Sequence, residues 1–153
     1  MTRKSNNTAL NSLANNINSG LLDNKLEKSI TYVAGTTGAT GATDICTVTG
    51  IVALSIFGVC STNLAGASAT IEAGTAISTA GLIAQTTATD IDVNEIWHDA
   101  SPDSNIELTS VISKNIITDD IIQTIATAAI SAGVITYYIL WSPISSNGNV
   151  TLT

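Results

Sequence analysis

Ile121-Ile122-Gln123-Thr124-Ile125-Ala126-Thr127-Ala128-Ala129-Ile130, then Ser131-Ala132-Gly133, then Val134-Ile135-Thr136-Tyr137-Tyr138-Ile139-Leu140-Trp141 is the stretch whose reading decides the fold. Two apolar, β-branched runs joined by three residues ending in Gly read as a β-hairpin with a left-handed glycine at its corner. In the second run Ile135, Tyr137, Ile139 and Trp141 share one face, because strand side chains alternate with period two. A helix is the competing reading. The β-branched and aromatic content, and the Pro143 that follows, favour the strand.

Outward from this stretch, short apolar runs recur with turn signals between them. Ile30–Val33 reads as a first strand, and Ile45–Val59 as two strands with a bulge or turn at Gly50. Further strands are expected at Ala69–Ala76, Leu82–Thr86, Ile106–Ile112, Ile116–Thr118 and Val150–Leu152. Gly35, Gly38 and Gly41 recur every third position in a Thr- and Ala-rich run without Lys, which reads as a flexible loop and not a phosphate cradle. About eight strands with no long crossover helix predict an all-β fold, an antiparallel β-sandwich or jelly roll.

Composition supports one such body. The chain has 153 residues, enough for a single buried core. Only 11% of residues are charged and 44% are hydrophobic, which excludes a disordered chain and suggests a surface covered by other protein. No apolar run approaches the ~20 residues of a membrane-spanning helix. Nor does an apolar core follow the basic start of the chain, so folding in the cytosol where it is made is expected.

Charge divides the chain at Ser29. Residues 1–29 carry four basic residues against two acids, net +2, and residues 30–153 carry Lys114 against ten acids, net −9, which together give −7. The first segment is rich in Asn and shows only a faint three-four stripe of Leu10, Leu13, Ile17 and Leu21. We read residues 1–29 as an extended N-terminal arm that orders against a partner, and residues 30–153 as the sandwich. A basic arm on an acidic body favours protein partners, including copies of the chain, and argues against nucleic acid.

Candidate chemistry is sparse. Cys46 and Cys60 sit in apolar runs and are expected as free thiols, with a bridge left open only if their strands pair. The acidic stretch Thr89–Asp103 offers Asp90, Asp92, Asn94 and Glu95, but lacks the Gly and Glu spacing of an EF-hand, leaving only an irregular calcium site to consider. His98-Asp99 could serve as base and orienter, yet no Ser or Thr lies in a nucleophile motif. The expectation is a non-enzyme with no metal and no cofactor, in which this stretch is a loop pinned by Trp97. Tyr137, Tyr138 and Trp141 on the last long strand, with Arg3 and Lys4 on the arm, are the candidate interface residues. The final run is apolar on both faces, so one face needs cover from outside, and a homo-oligomer follows.

Five strings also carry a resemblance. They are Tyr32–Gly41, Phe57-Gly58-Val59-Cys60, Ile83–Asp92, Glu95-Ile96-Trp97-His98-Asp99-Ala100-Ser101-Pro102-Asp103 and Leu140–Val150. Over about residues 30–150 the chain resembles a group of small tailed-bacteriophage virion structural proteins. The resemblance implies a jelly-roll-like decoration or cement protein on the phage head, bound to the major capsid protein or other virion proteins, and trimeric. The alternative it implies is a tail, baseplate or fibre component that binds a receptor or glycan. None of the strings is a catalytic or ligand motif, so no site residue is carried over.

Overall fold

The computed structural model describes residues 24–153, and it is an antiparallel β-sandwich. Ten strands are present among these residues: β1 Asn24–Thr31, β2 Gly41–Thr49, β3 Val52–Ala65, β4 Thr70–Gly74, β5 Ile83–Thr87, β6 Ile96–Trp97, β7 Asn115–Ile117, β8 Ile121–Ala126, β9 Ala132–Pro143 and β10 Asn149–Leu152. One sheet has the order β1-β9-β3-β6, with β7 also pairing β3, and the other has the order β10-β2-β8-β4-β5.

The order has a simple origin. Strands β1, β2, β3 and β4 pair in turn with β9, β8, β6 and β7, and β5, so the chain is a ribbon doubled back on itself. Rolling that ribbon brings β9 beside β3 and β8 beside β4, which is the jelly roll. Consecutive strands therefore tend to fall in opposite sheets.

That winding overturns the hairpin expected at Ser131–Gly133. β8 lies between β2 and β4, whereas β9 lies between β1 and β3 in the other sheet. Each arm gains two long-range neighbours, and pairing the arms to each other would forfeit one on each side. The sharp left-handed corner falls on Thr127, at φ 68°, not on Gly133. Gly133 has φ 117° and lets the backbone approach Asn63 and Leu64, which a Cβ would strike.

Three other expectations are corrected. The first strand begins at Asn24, so residues 24–29 belong to the sandwich and not to the arm. Lys28 makes this possible: its half-buried stem carries the ammonium out to donate to the carbonyls of Asp44 and Thr153, 2.7 and 2.9 Å away. The arm upstream, including Arg3, Lys4 and the stripe Leu10–Leu21, lies outside the described residues. Ile106–Ile112 is a loop and not a strand, with Ile106 and Leu108 exposed, because β6 and β7 already occupy the free edge of β3. The Gly35–Gly41 segment is a packed turn, not a slack one. Gly38 donates to the Val33 carbonyl and its own carbonyl accepts from Ile130 at 2.8 Å, so closely that an added Cβ would overlap the Ile130 carbonyl.

The core lies between the sheets and is built from the inward positions of each strand. Ile135, Tyr137, Ile139 and Trp141 of β9 are all buried, as the alternation required. Ile45, Leu54, Ile71, Ile83, Ile121 and Ile125 meet them from both sheets. One polar group stands in the middle: the Gln123 Oε1 accepts from the Tyr32 and Tyr137 hydroxyls at 2.8 and 2.9 Å.

Cys46 and Cys60 are buried free thiols on β2 and β3, strands of opposite sheets that do not pair. Burial pushes the Cys46 thiol up to about 12 and raises Cys60 as well. An unfolded thiol ionises near 9, so the folded state loses ground once the unfolded chain can release that proton. Stability should hold below about pH 9 and then fall, by about 1.4 kcal/mol per pH unit for Cys46 alone up to about pH 12. Urea midpoints at pH 8 and pH 10 check this, and Cys46→Ala should lessen the drop. A midpoint that does not move between the two pH values refutes it.

Candidate interaction surface

The two outer faces of the sandwich differ in chemistry. On the β10-β2-β8-β4-β5 sheet the outward rows include Thr47 beside Thr151 and Ala42 beside Thr124 and Glu72. Glu72 accepts from Gln85 Nε2 at 3.0 Å. The face is mostly polar, although Glu72 and Ile122, the latter in the row between Asp44 and Gly74, are buried.

The other outer face is apolar at its centre. Register places Glu27, Tyr138 and Phe57 in one row and Lys25, Leu140 and Ser55 in the next. Ser29, Thr136 and Val59 form a third row, and Thr31, Val134 and Thr62 a fourth. Phe57 and Tyr138 are stacked, with ring centroids 5.3 Å apart and planes 19° apart. Both are half-buried, as are Leu140, Val134 and Val59. The Lys25 ammonium sits 5.3 Å from the centroid of the Tyr138 ring, a cation–π distance. Lys25 also pairs with Glu27 at 3.7 Å, an exposed contact worth little by itself. At the end of the sheet Ile116 of β7 stands beside Ala53 and is 65% exposed. Aromatic stacks rimmed by a Lys–Glu pair match the composition of interface centres and rims.

Of the three aromatic residues singled out on β9, only Tyr138 reaches this surface. Tyr137 is fully buried against Trp97, with ring centroids 6.1 Å apart, and Trp141 is 8% exposed, so both serve the subunit's own core. Adjacent strand positions point to opposite faces, which splits Tyr137 from Tyr138. Phe57 and Lys25 are the surface residues that the sequence reading missed. Phe57 could have been found, since it is out of phase with the inward Leu54 and Ile56.

The acidic stretch does not gather into a site. Asp90 ends a 3₁₀ turn at Ala88–Asp90, while Glu95 Oε2 accepts from the Asp92 backbone N–H at 2.8 Å. Among the described residues no group of three or more His, Cys, Asp or Glu is placed to hold a metal ion. His98 lies between two carboxylates, Nδ1 3.8 Å from Asp99 and Nε2 3.6 Å from Glu107. Both ring nitrogens thus face acids rather than a hydroxyl, and all three residues belong to the 98–114 loop, which they draw together. A polar hollow of about 410 Å³ lined by Asn94, Glu95, Asp103 and Ser104 opens nearby.

A second feature is a cleft on the side where β5 and β7 are the free sheet edges. It measures about 360 Å³ and is walled by Ile77, Leu82, Ile116 and Ile117, with Asp119 also in its lining. It adjoins a smaller hollow of about 210 Å³ reached by Ile56, His98 and Val111, and the two share Gly81, Leu82 and Asn115. Among the described residues no helix is long and apolar enough to cross a membrane. In comparisons with known proteins, no protein-family model, no curated protein and no solved structure matches this chain.

Proposed function

We propose that this protein is a non-enzymatic structural subunit of a bacteriophage particle, a decoration or cement protein that adds protein–protein contact to the outside of the head. The observation that carries the reading is the contrast between its outer faces, one polar and one centred on the stacked Phe57 and Tyr138. An apolar sheet face on a small sandwich needs cover, and a second copy or the major capsid protein supplies it. The phage assignment rests on the resemblance over residues 30–150. The excess of acidic residues supports protein rather than nucleic acid as the surface's partner.

The work of such a subunit is mechanical. A rigid jelly roll spreads load through its strands, and each stable contact of ~1,200 Å² or more ties neighbours together. On this reading the protein is a homo-oligomer, a trimer, and it resides in the virion.

Tyr138→Asp tests the reading. The residue is half-buried in the subunit, so the variant should fold, while a charge placed without a partner in a dry contact costs about 3–5 kcal/mol. Light scattering at micromolar concentration should find an oligomeric wild type and a monomeric variant, and the variant should no longer bind purified particles. A wild type that is already monomeric and does not bind particles refutes the proposal. Abundant protein in purified heads supports the decoration role, whereas location in the tail overturns it.

A further inference from the structure

The sandwich is closed on one side and open on the other. On the closed side Lys28 crosses from β1 to the carbonyls of Asp44 and Thr153 and joins the two sheets. On the open side lies the cleft walled by Ile77, Leu82 and Ile116, with Ile77 94% exposed. Ile77 is not alone there: with Leu82, Ile116 and Ile117 it lines one apolar groove, the kind of contiguous patch that marks a place where another surface fits.

The register shows what is within reach. Asn24, where β1 begins, is partnered by Trp141, Trp141 by Leu54, and Leu54 by Asn115 at the cleft wall. Three strand spacings, about 14 Å, separate the start of β1 from β7. Ile17 lies seven positions ahead of Asn24, and seven extended residues span up to about 24 Å. Leu10 and Leu13 lie further out still, with chain to spare.

The segment also has the right chemistry. Leu10, Leu13 and Ile17 are its large aliphatic residues beyond the two leucines next to the body, spaced three and four apart. Residues 1–23 carry Arg3 and Lys4 against Asp23, net +1, whereas residues 24–153 carry three basic residues against eleven acids, net −8. Asp119 is among the residues that line the cleft, so one of those acids belongs to it.

We infer that the cleft is the docking site of the chain's own N-terminal segment, with Leu10, Leu13 and Ile17 seated over Ile77, Leu82 and Ile116. The same chain is favoured over a second copy because a short tether gives a high effective concentration, on the order of millimolar. The inference does not depend on what the Tyr138 face meets, although Ile116 stands both at the end of that face and in the cleft lining.

The test uses the full chain. Ile17→Cys or Leu13→Cys is combined with Ile116→Cys and mildly oxidised at low micromolar concentration, while the native Cys46 and Cys60 remain buried. Non-reducing mass analysis should find the bridge within one chain, in a fraction unchanged by dilution. Bridges only between two chains overturn the inference in favour of a second copy, and absence of any bridge overturns it outright. A second measurement covers cysteine variants that misfold: Leu13→Asp with Ile17→Asp should speed amide exchange in residues 75–82 and 115–119 by about tenfold. Amides of Gly41–Thr49, remote in the fold, should keep their rates. Unchanged exchange around the cleft sinks the idea.

Discussion

Trp97→Ala is expected to remove about 3–5 kcal/mol of folding stability, the cost of emptying a large, closed aromatic site. Trp97 sits on β6, only two residues long, yet its ring is fully buried and tilted against Tyr137. Its indole Nε1 donates at 2.9 Å to Thr86 Oγ1 of β5, in the opposite sheet. That hydroxyl lies within hydrogen-bond reach of the Ala84 and Asp99 carbonyls, at 3.0 and 3.2 Å. One residue thus joins both sheets at the open side of the sandwich. Thr86→Val isolates the polar part, because it keeps the shape and leaves the indole N–H unpaired, at about 1–3 kcal/mol. Urea unfolding of the two variants should rank Trp97→Ala well below Thr86→Val. Equal losses would mean that the ring's packing contributes little.

Gln123→Leu is expected to cost about 2–4 kcal/mol, because two buried tyrosine hydroxyls lose their shared acceptor. The side chain is fully buried, and its Nε2 has no partner in the core. Gln123 therefore brings a penalty of its own, and the full apolar replacement should expose it. Tyr32→Phe and Tyr137→Phe added to Gln123→Leu remove every polar atom of the cluster while keeping its shape. This triple variant should regain most of the lost stability, since deleting both partners of a buried hydrogen bond is nearly neutral. Guanidinium titrations of single and triple variants decide the matter. A triple variant no more stable than the single one would locate the role of Gln123 in packing alone.

Much of the sandwich was readable from alternation, and its wiring was not. Period two states which side chains share a face, so the buried set Ile135, Tyr137, Ile139 and Trp141 was legible. The same period is silent on which strand lies alongside. The short link at Ser131–Gly133 looked sufficient for a hairpin, but the long-range partners of β8 and β9 decided otherwise. Ile106–Ile112 alternates as well as any strand here and is not one, because alternation cannot supply a free edge to pair with. β6 was hidden for the opposite reason: two residues among acids carry no period at all.

The candidate surface was legible in part. Tyr138 followed from a strand with two apolar faces, but sequence neighbours Tyr137 and Trp141 were grouped with it although they face inward. Lys25 and Lys28 were read as arm charges because both are basic. Their roles differ with strand phase, Lys25 lying over the Tyr138 ring and Lys28 reaching from the inner row to backbone carbonyls.

The doubled-back ribbon also sets a timetable for synthesis. Its closed end, β4 with β5, is local and can pair as soon as Thr87 has been made. Its open end cannot, because Asn24 waits for Trp141, 117 positions later. At about 5–20 residues per second that wait lasts roughly 6 to 23 s, during which β1 has no neighbour. Strands paired at such sequence separation also form slowly once the chain is complete. The Lys-bearing first strand is therefore the edge that the nascent chain leaves bare longest, and its charges keep that edge from pairing with another chain meanwhile.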